Sequence, residues 1–391
     1  MKILHVIASI SPTSGGPVEG IMQQNAALLS YGVTREVVSL DLPGASYLKD
    51  IPFPVHALGE TPGVGAGRYS LSRYGYSSKL IPWLRMNAQS YDRIIVNGLW
   101  NYAGYAASRV LRRMNIPYFV FTHGMLDPWF RQQNLIKHFF KQISWLVFEG
   151  PLLQDATAVL FTSEEELRSA QGAFWGYADY KKEIAKYGIM PPPPLADFQC
   201  ASFSAALPAL RGRKYLLFMS RIHPKKGCDI IINAFSRLAD IYPDIDLVIA
   251  GPDQVGWARE LQDLTQKMGI AKRVHWPGML VGDEKWGALR SAEAMLLPSH
   301  GENFGVVIAE ALSCGTPVLI SNRVNIWREV ESVRAGLVCD NTQQAFGAML
   351  EAFLKLSDGE LSLMRDRAIV CFDKFFNLKN TALELLKILR T

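Results

Sequence analysis

Two carboxylates, Glu302 and Glu310, stand eight positions apart in the stretch SHGENFGVVIAEALSCGTPVLIS, around a glycine and a run of small apolar residues. Paired acids can divide general acid and general base work, so proton transfer is one chemistry to weigh. Their setting favours another. Glu302 falls in the loop leaving the apolar strand AMLLPS, whereas FGVVIAEALSCG has helix-forming character and stops at Gly315. Glu310 then lies two turns into an otherwise apolar helix, where an ionised acid is costly unless something hydrogen-bonds it. A pair of sugar or ribose hydroxyls would do so, and so would a buried arginine. Gly305, near the helix start, would let a ligand approach the backbone, and the amides of the first turn favour an anion such as phosphate.

A second group of residues adds cations. The strand YLLFMS runs into SRIHPKKG, which places Arg221 and Lys226 at a strand's carboxyl end. Two cations there can neutralise a pyrophosphate and stabilise the charge that builds on it as a bond to it breaks. With the two acids they describe a site for a nucleoside diphosphate. Near the start of the chain, SISPTSGGPVEG follows the first strand, so Gly15 and Gly16 could admit a phosphate or an acceptor close to the backbone. That stretch lacks the G-x-G-x-x-G spacing of a nicotinamide site. In FTHGMLD, His123 and Gly124 leave a further strand. The acids of DID, Asp244 to Asp246, precede their strand, the end opposite a ligand site, and are expected to be solvated and to hold no metal.

The elements that must position these residues alternate along the chain. Short apolar runs separated by amphipathic segments argue for parallel sheets built of βαβ units. Strands are read at KILHVIAS, TREVVSL, RIIVNG, YFVFTHG and AVLFTS, then at YLLFMS, DLVIAG, RVHWPG, AMLLPS, PVLIS and AGLVC. The run PPPPL, Pro191 to Leu195, cannot sit inside a regular element and is read as a linker. The expected division is residues 1–195, an acceptor-binding domain; 196–370, a domain for the nucleotide sugar; and 371–391, a helix returning toward the first domain. Doubly wound sheets bind ligands at the carboxyl ends of their strands.

Composition bounds the class. A chain of 391 residues, 49% hydrophobic and 20% charged, reads as a soluble globular protein able to bury two cores. Five scattered cysteines without a C-x-x-C pair suggest reduced thiols and a cytoplasmic protein. The start MKILHVIASI reads as a first strand, since no small-residue cleavage pattern follows it, and no apolar run is long enough to span a bilayer. The net charge of +5 is uneven: from Arg68 to Lys141 there are eleven basic residues and two acids, Asp92 and Asp127. Such an excess suits an anionic partner. The aromatic and basic run RQQNLIKHFFKQISWLVFEG, Arg131 to Gly150, leaves two readings open: an interfacial helix on anionic lipid, peripheral on the inner face of a membrane, or a surface helix with Phe and Trp in the core. No nucleic-acid recognition motif accompanies the basic residues.

The combination of SRIHPKKG, DLVIAGP, HWPGML and HGENFGVVIAEALSCGTPV resembles the C-terminal domain of the family 4 retaining glycosyltransferases. That family has the α/β GT-B fold of two facing Rossmann-like domains with parallel sheets. The resemblance covers most of the chain and is strongest from Tyr215 to Ser321. It implies that Glu310 receives the ribose hydroxyls of the nucleotide and Glu302 the hydroxyls of the transferred sugar. It implies further that Asn303, Phe304, Gly305 and Val306 lie along sugar and phosphates, that Arg221 and Lys226 grip the diphosphate, and that Gly278 and Met279 border the base. The family has a histidine in an equivalent strand-end loop facing the sugar, which makes His123 an active-site candidate, with Asp127 an acceptor-side candidate.

The reading is a metal-independent glycosyltransferase without cofactor. It moves a sugar, with retention, from a nucleotide diphosphate donor to a hydroxyl of a glycan or lipid-linked acceptor in polysaccharide or glycolipid biosynthesis. The base pocket is largely backbone and poorly encoded; UDP-glucose is the expected donor and GDP-mannose the alternative. A related enzyme of different chemistry, such as an epimerase or phosphorylase, or a non-catalytic nucleotide-sugar-binding protein, also stays open.

Overall fold

The computed structural model describes residues 1–14, 16–60, 75–127 and 135–391. Gly15, Arg68 and Arg131, named above, lie outside them. The chain forms two compact units, the first comprising Met1–Gly188 with Leu378–Thr391, the second Ile189–Asn377. The division therefore precedes the proline run expected as the linker. That run is irregular and belongs to the second unit, where the Arg290 guanidinium donates to the Pro193 carbonyl at 2.5 Å. The tail helix Leu378–Leu389 counts with the first unit and packs on the helix Gly16–Leu29.

In the first unit seven strands make one sheet: β1 (Lys2–Ile7), β2 (Thr34–Ser39), β3 (Val55–Ala57), β4 (Arg93–Asn97), β5 (Tyr118–Phe121), β6 (Ala158–Phe161) and β7 (Lys182–Ile184). Their order is β3-β2-β1-β4-β5-β6-β7, and every pairing is parallel. The second unit repeats the plan with β8 (Lys214–Met219), β9 (Ile245–Ala250), β10 (Val274–Gly278), β11 (Ala294–Leu297), β12 (Val318–Ser321) and β13 (Gly336–Cys339), in the order β10-β9-β8-β11-β12-β13. The central strands are apolar on both faces because helices cover both, as a parallel sheet requires; β5, β6, β11 and β12 are buried throughout.

Both sheets are Rossmann-like, each with a point where the strand order reverses. In the first it lies between β1 and β4, in the second between β8 and β11. The sequence reading found eleven of these strands and missed β3 and β7, three-residue strands at the two edges of the first sheet.

One expectation is overturned at the opposite end of the second sheet. Asp246 is not solvated: it is buried, and its carboxylate accepts from Arg213 at 2.7 Å, Arg273 at 2.6 Å and His275 at 2.8 Å. Burial alone would raise its pKa, but the bonds from Arg213, His275 and Arg273 win and hold it below the usual range. The acid ties the starts of β8, β9 and β10 together. The reading of Phe side chains in the core of the run before Gly150 also fails in part. Trp145 is buried, but Phe139 and Phe140 are 62% and 65% exposed.

Candidate active site

The second unit brings Lys226 and Glu302 together. β8 ends at Met219, and the chain turns through a short 3-10 stretch, Pro224–Lys226, before the helix Cys228–Ser236. The hinge is Gly227, whose φ of +73° is left-handed and whose added Cβ would stand 2.5 Å from the Pro298 carbonyl oxygen. Only glycine lets this turn lie against the end of the neighbouring strand β11. The loop after β11 is fastened to the turn: the His300 amide and the Ser299 hydroxyl both donate to the Lys225 carbonyl, at 2.8 and 3.0 Å. Across that junction, at the switch point of the sheet, the buried Lys226 ammonium meets the Glu302 carboxylate.

The backbone of Glu302 is fixed as well. Its amide donates to the Arg323 carbonyl, and its carbonyl accepts from the Asn325 amide, each at 2.9 Å. Gly305, at φ +72°, caps the start of the helix Val306–Ser313. The start of that helix follows the loop holding Glu302, and a helix start is where an anion is favoured. Phe304 turns its ring inward, buried edge-on to Phe376 at 5.6 Å between centroids. Asn303 accepts from the Asn325 side chain at 3.3 Å.

Glu310 sits on that helix and accepts from Lys285 at 2.8 Å; Lys285 belongs to the helix Gly282–Ser291 and also lies over the Trp286 ring. The acid in an apolar helix is thus hydrogen-bonded by a lysine, not by the arginine one might expect. Lys285 went unnoticed in the sequence, where nothing local links it to Glu310. Arg221 lies at the same strand end as Lys226 but is exposed, donating to the Gln254 side chain at 2.9 Å. Gly278 closes β10 at φ +76°, its carbonyl accepting from the Gly251 amide at 2.7 Å, and Met279 beside it is 66% exposed. Among the described residues no hydrogen bond or ion pair joins these two to Lys226 or Glu302.

In the first unit, Gly16 is the exposed first residue of its helix, and Asp127 is half-buried with its amide donating to the Gly124 carbonyl at 3.2 Å. His123 turns the corner after β5 at φ +51°, followed by Gly124 at +75°. Both ring nitrogens are engaged. The Tyr187 hydroxyl donates to Nδ1, and Nε2–H donates to the Asn97 side-chain oxygen at 3.2 Å. The Asn97 amide nitrogen in turn donates to Nδ1 of His5 at 3.2 Å. His5 is left with an Nε2–H that has no partner among the described residues and lines a cavity of about 10 Å³, room for about one water. Burial holds both rings neutral, pushing His123 down to about 3 and His5 well below its ordinary value.

The corner at His123 is clamped by an acid that the sequence reading missed. The buried Glu166 carboxylate accepts from Thr122 Oγ1, the Gly124 amide, and the amide and hydroxyl of Thr162, all between 2.5 and 2.7 Å. It is an i, i+4 partner of Thr162, but its long-range role in holding the loop after β5 has no local signature. Among the described residues no cluster of three or more His, Cys, Asp or Glu forms a metal-binding group, and all five cysteines are unpaired.

Comparison with known proteins agrees with this layout. Residues 202–368 match the family of glycosyl transferases group 1, and residues 15–179 match the glycosyl transferase 4-like domain. A D-inositol 3-phosphate glycosyltransferase of Paenarthrobacter aurescens (strain TC1) is 30% identical over 167 residues, 41% of this chain and 41% of that protein. Another, from Corynebacterium urealyticum, is 24% identical over 257 residues, covering 63% of this chain and 59% of its own. The chain thus matches about two fifths of the first relative and three fifths of the second. Among solved structures, Anabaena HepE in complex with UDP superposes with a TM-score of 0.77 at 19% identity over the whole of both chains. Sucrose-phosphate synthase from Thermosynechococcus elongatus does so at the same score and identity, over 100% of this chain and 98% of its own. At such identity the likeness establishes the fold, which is GT-B. The chain thus matches a glycosyl transferase 4-like domain in its first unit and glycosyl transferases group 1 in its second, on a GT-B fold.

Proposed function

We propose that the protein transfers a sugar, with retention of configuration, from a nucleoside diphosphate sugar to an acceptor hydroxyl. The observation that carries this reading is the meeting of Lys226 with Glu302 at the switch point of the second sheet, beside the helix start at Gly305. One ligand with a diphosphate and an adjoining polyol fits that arrangement. The phosphates face Lys226, Arg221 and the first-turn amides; the sugar hydroxyls bond Glu302; the ribose hydroxyls bond Glu310, which also accepts from Lys285. Asn303, Phe304, Gly305 and Val306 contribute backbone along the donor, and Gly278 and Met279 border the base.

Both acids are then occupied in binding, and no carboxylate is left to attack the anomeric carbon. Transfer proceeds by front-side displacement. The bond from the anomeric carbon to the phosphate oxygen breaks, the acceptor oxygen bonds to the same face, and the departing phosphate oxygen takes the acceptor proton. Lys226, Arg221 and the helix amides stabilise the negative charge that the leaving diphosphate acquires. His123 has both nitrogens committed and is held neutral, so its part is to support the strand-end loop and not to carry a proton.

The donor assigned is UDP-glucose; HepE, of the same fold, has been solved with UDP-glucose. The acceptor assigned is a glycan or lipid-linked hydroxyl. Thermal-shift measurement against UDP-glucose, GDP-mannose and other nucleotide sugars, followed by product detection with glycan and glycolipid acceptors, tests the reading. Stabilisation by UDP-glucose and its turnover is expected, undiminished by a chelator. Preference for GDP-mannose would replace the donor, binding without turnover on any acceptor would make the chain a binding protein, and stabilisation by none would overturn the reading.

A further inference from the structure

Tyr187 carries the last side chain of the stretch Met1–Gly188, just before the chain leaves the first unit. Its ring is buried and stacks on Phe121 and His123, with centroids 5.4 and 5.8 Å apart. The ring edge lies over Gly20 of the helix Gly16–Leu29, where an added Cβ would stand 2.8 Å from it. The next residue, Gly188, packs so closely on Leu378 and Thr381 of the tail helix that no side chain fits there. A ring held by its stack, by Gly20 and by its own backbone keeps its hydroxyl in one place, and that hydroxyl meets Nδ1 of His123.

The direction of this bond is settled at the buried Asn97. One atom of its side-chain amide lies 3.0 Å from the Ile95 carbonyl and 3.5 Å from the Val6 carbonyl. Carbonyl oxygens accept only from a donor, so that atom is Nδ2, and the atom facing His123 is the oxygen. The oxygen calls for a proton on Nε2 of His123, at 3.2 Å. A neutral imidazole with its proton on Nε2 has a bare Nδ1, which makes the Tyr187 hydroxyl the donor. On the other side Nδ2 of Asn97 reaches Nδ1 of His5 at 3.2 Å, so His5 also carries its proton on Nε2. Backbone carbonyls of β1 and β4 thus fix the tautomers of two histidines. From Tyr187 through His123 and Asn97 to His5, every bond donates the same way, and the last N–H lies at the cavity where one water fits.

We propose that Tyr187 is the positioning residue of the corner after β5. By donating to Nδ1 it fixes the His123 ring, and with it the left-handed turn through His123 and Gly124, against the segment by which the chain leaves the first unit. Glu166 clamps the same corner through Thr122 Oγ1 and the Gly124 amide. The acid holds the backbone of the turn and Tyr187 holds its ring. Turnover as a readout rests on the glycosyl-transfer reading; the hydrogen bonds do not.

NMR of the full chain carrying isotope-labelled histidine, with turnover and melting followed in parallel, tests the proposal on wild type, Y187F and G20A. In wild type His5 and His123 should both be neutral with the proton on Nε2. Y187F keeps the stacked ring and removes the donor. Its His123 Nε2 proton should exchange with solvent about fivefold faster or more, and kcat at saturating donor should fall about tenfold. G20A should move both quantities in the same direction, because its Cβ displaces the ring, although alanine itself favours the helix. Both variants should keep the wild-type nucleotide-sugar thermal shift and a donor KM within about twofold, since the residues assigned to the diphosphate, ribose and base lie in the second unit. A His123 proton on Nδ1, a folded Y187F with exchange and kcat within about twofold of wild type, or a loss confined to donor KM would each overturn the proposal. A wild type without turnover would count against the transfer reading alone, and the tautomers and exchange rates would still decide this one.

Discussion

Replacement of Lys226 by Met asks whether its ammonium serves the leaving group or merely the neighbouring acid. The side chain is buried, with Glu302 as its acid partner, and Glu302 keeps about one fifth of its side-chain surface in water. Breaking a fully buried pair costs about 3–5 kcal/mol; the hydration left to Glu302 reduces this to about 1–2 kcal/mol. The second unit should then melt about 2–8 °C lower and remain folded. Turnover faces a larger loss. A donor aimed at charge that develops in the transition state is worth about 3–4 kcal/mol, or about 10²–10³-fold in kcat. The assay is release of the nucleoside diphosphate at saturating donor, with melting followed in parallel. Addition of Glu302→Gln removes the stranded charge, so the double variant should recover the melting temperature and not the turnover. A folded K226M protein with kcat within about threefold of wild type, or a double variant that regains activity, would refute the assignment of Lys226 to the diphosphate.

Two further outcomes are expected. Glu310→Gln should raise the donor KM by about 10–100-fold and erase the difference between the ribose and 2′-deoxyribose nucleotides, because a hydrogen bond to a charged group is worth about 1.5–3 kcal/mol; K285M should weaken the donor in the same direction through the loss of its 2.8 Å bond to Glu310, and a variant that still discriminates the 2′-hydroxyl would contradict the placement. His123 and His5 are held neutral by burial, and their folded pKa values lie below the unfolded value of about 6.5. The unfolded chain therefore takes up protons first. Their contribution is complete above about pH 6.5 and is lost as pH falls below it, for His123 until about pH 3, by up to about 1.4 kcal/mol per pH unit for each ring. Melting curves from pH 7 to 4 should fall less steeply for H123Q than for wild type, and identical slopes would count against the account.

How far these features were legible in the sequence depended on whether the signal was local. The central strands announced themselves as short apolar runs because both faces of a parallel sheet are covered. β3 and β7 did not, since a three-residue edge strand has little burial to encode. The motif containing Glu302, Gly305 and Glu310 was readable as loop, glycine and helix, and the structure places them so. What each acid touches was not readable. Lys285 is 25 positions from Glu310, and Tyr187 is 64 from His123. Such partners are chosen by the order of strands in a sheet, which no window of sequence contains. Asp246 was misjudged for the same reason: its three basic partners arrive from strand starts 27 to 33 residues away.

The first unit is discontinuous, and that has a consequence for how the chain is made. Its last helix, Leu378–Leu389, buries Leu385, Leu386 and Leu389, and Leu385 lines the cavity at His5. On the ribosome all seven strands of the first sheet emerge well before this helix, and the whole of the second unit is synthesised in between. The nascent first unit must wait with the apolar face of Gly16–Leu29 open to water or to a chaperone, while the contiguous second unit has every residue it needs. The part of the protein made second is the first that can finish folding.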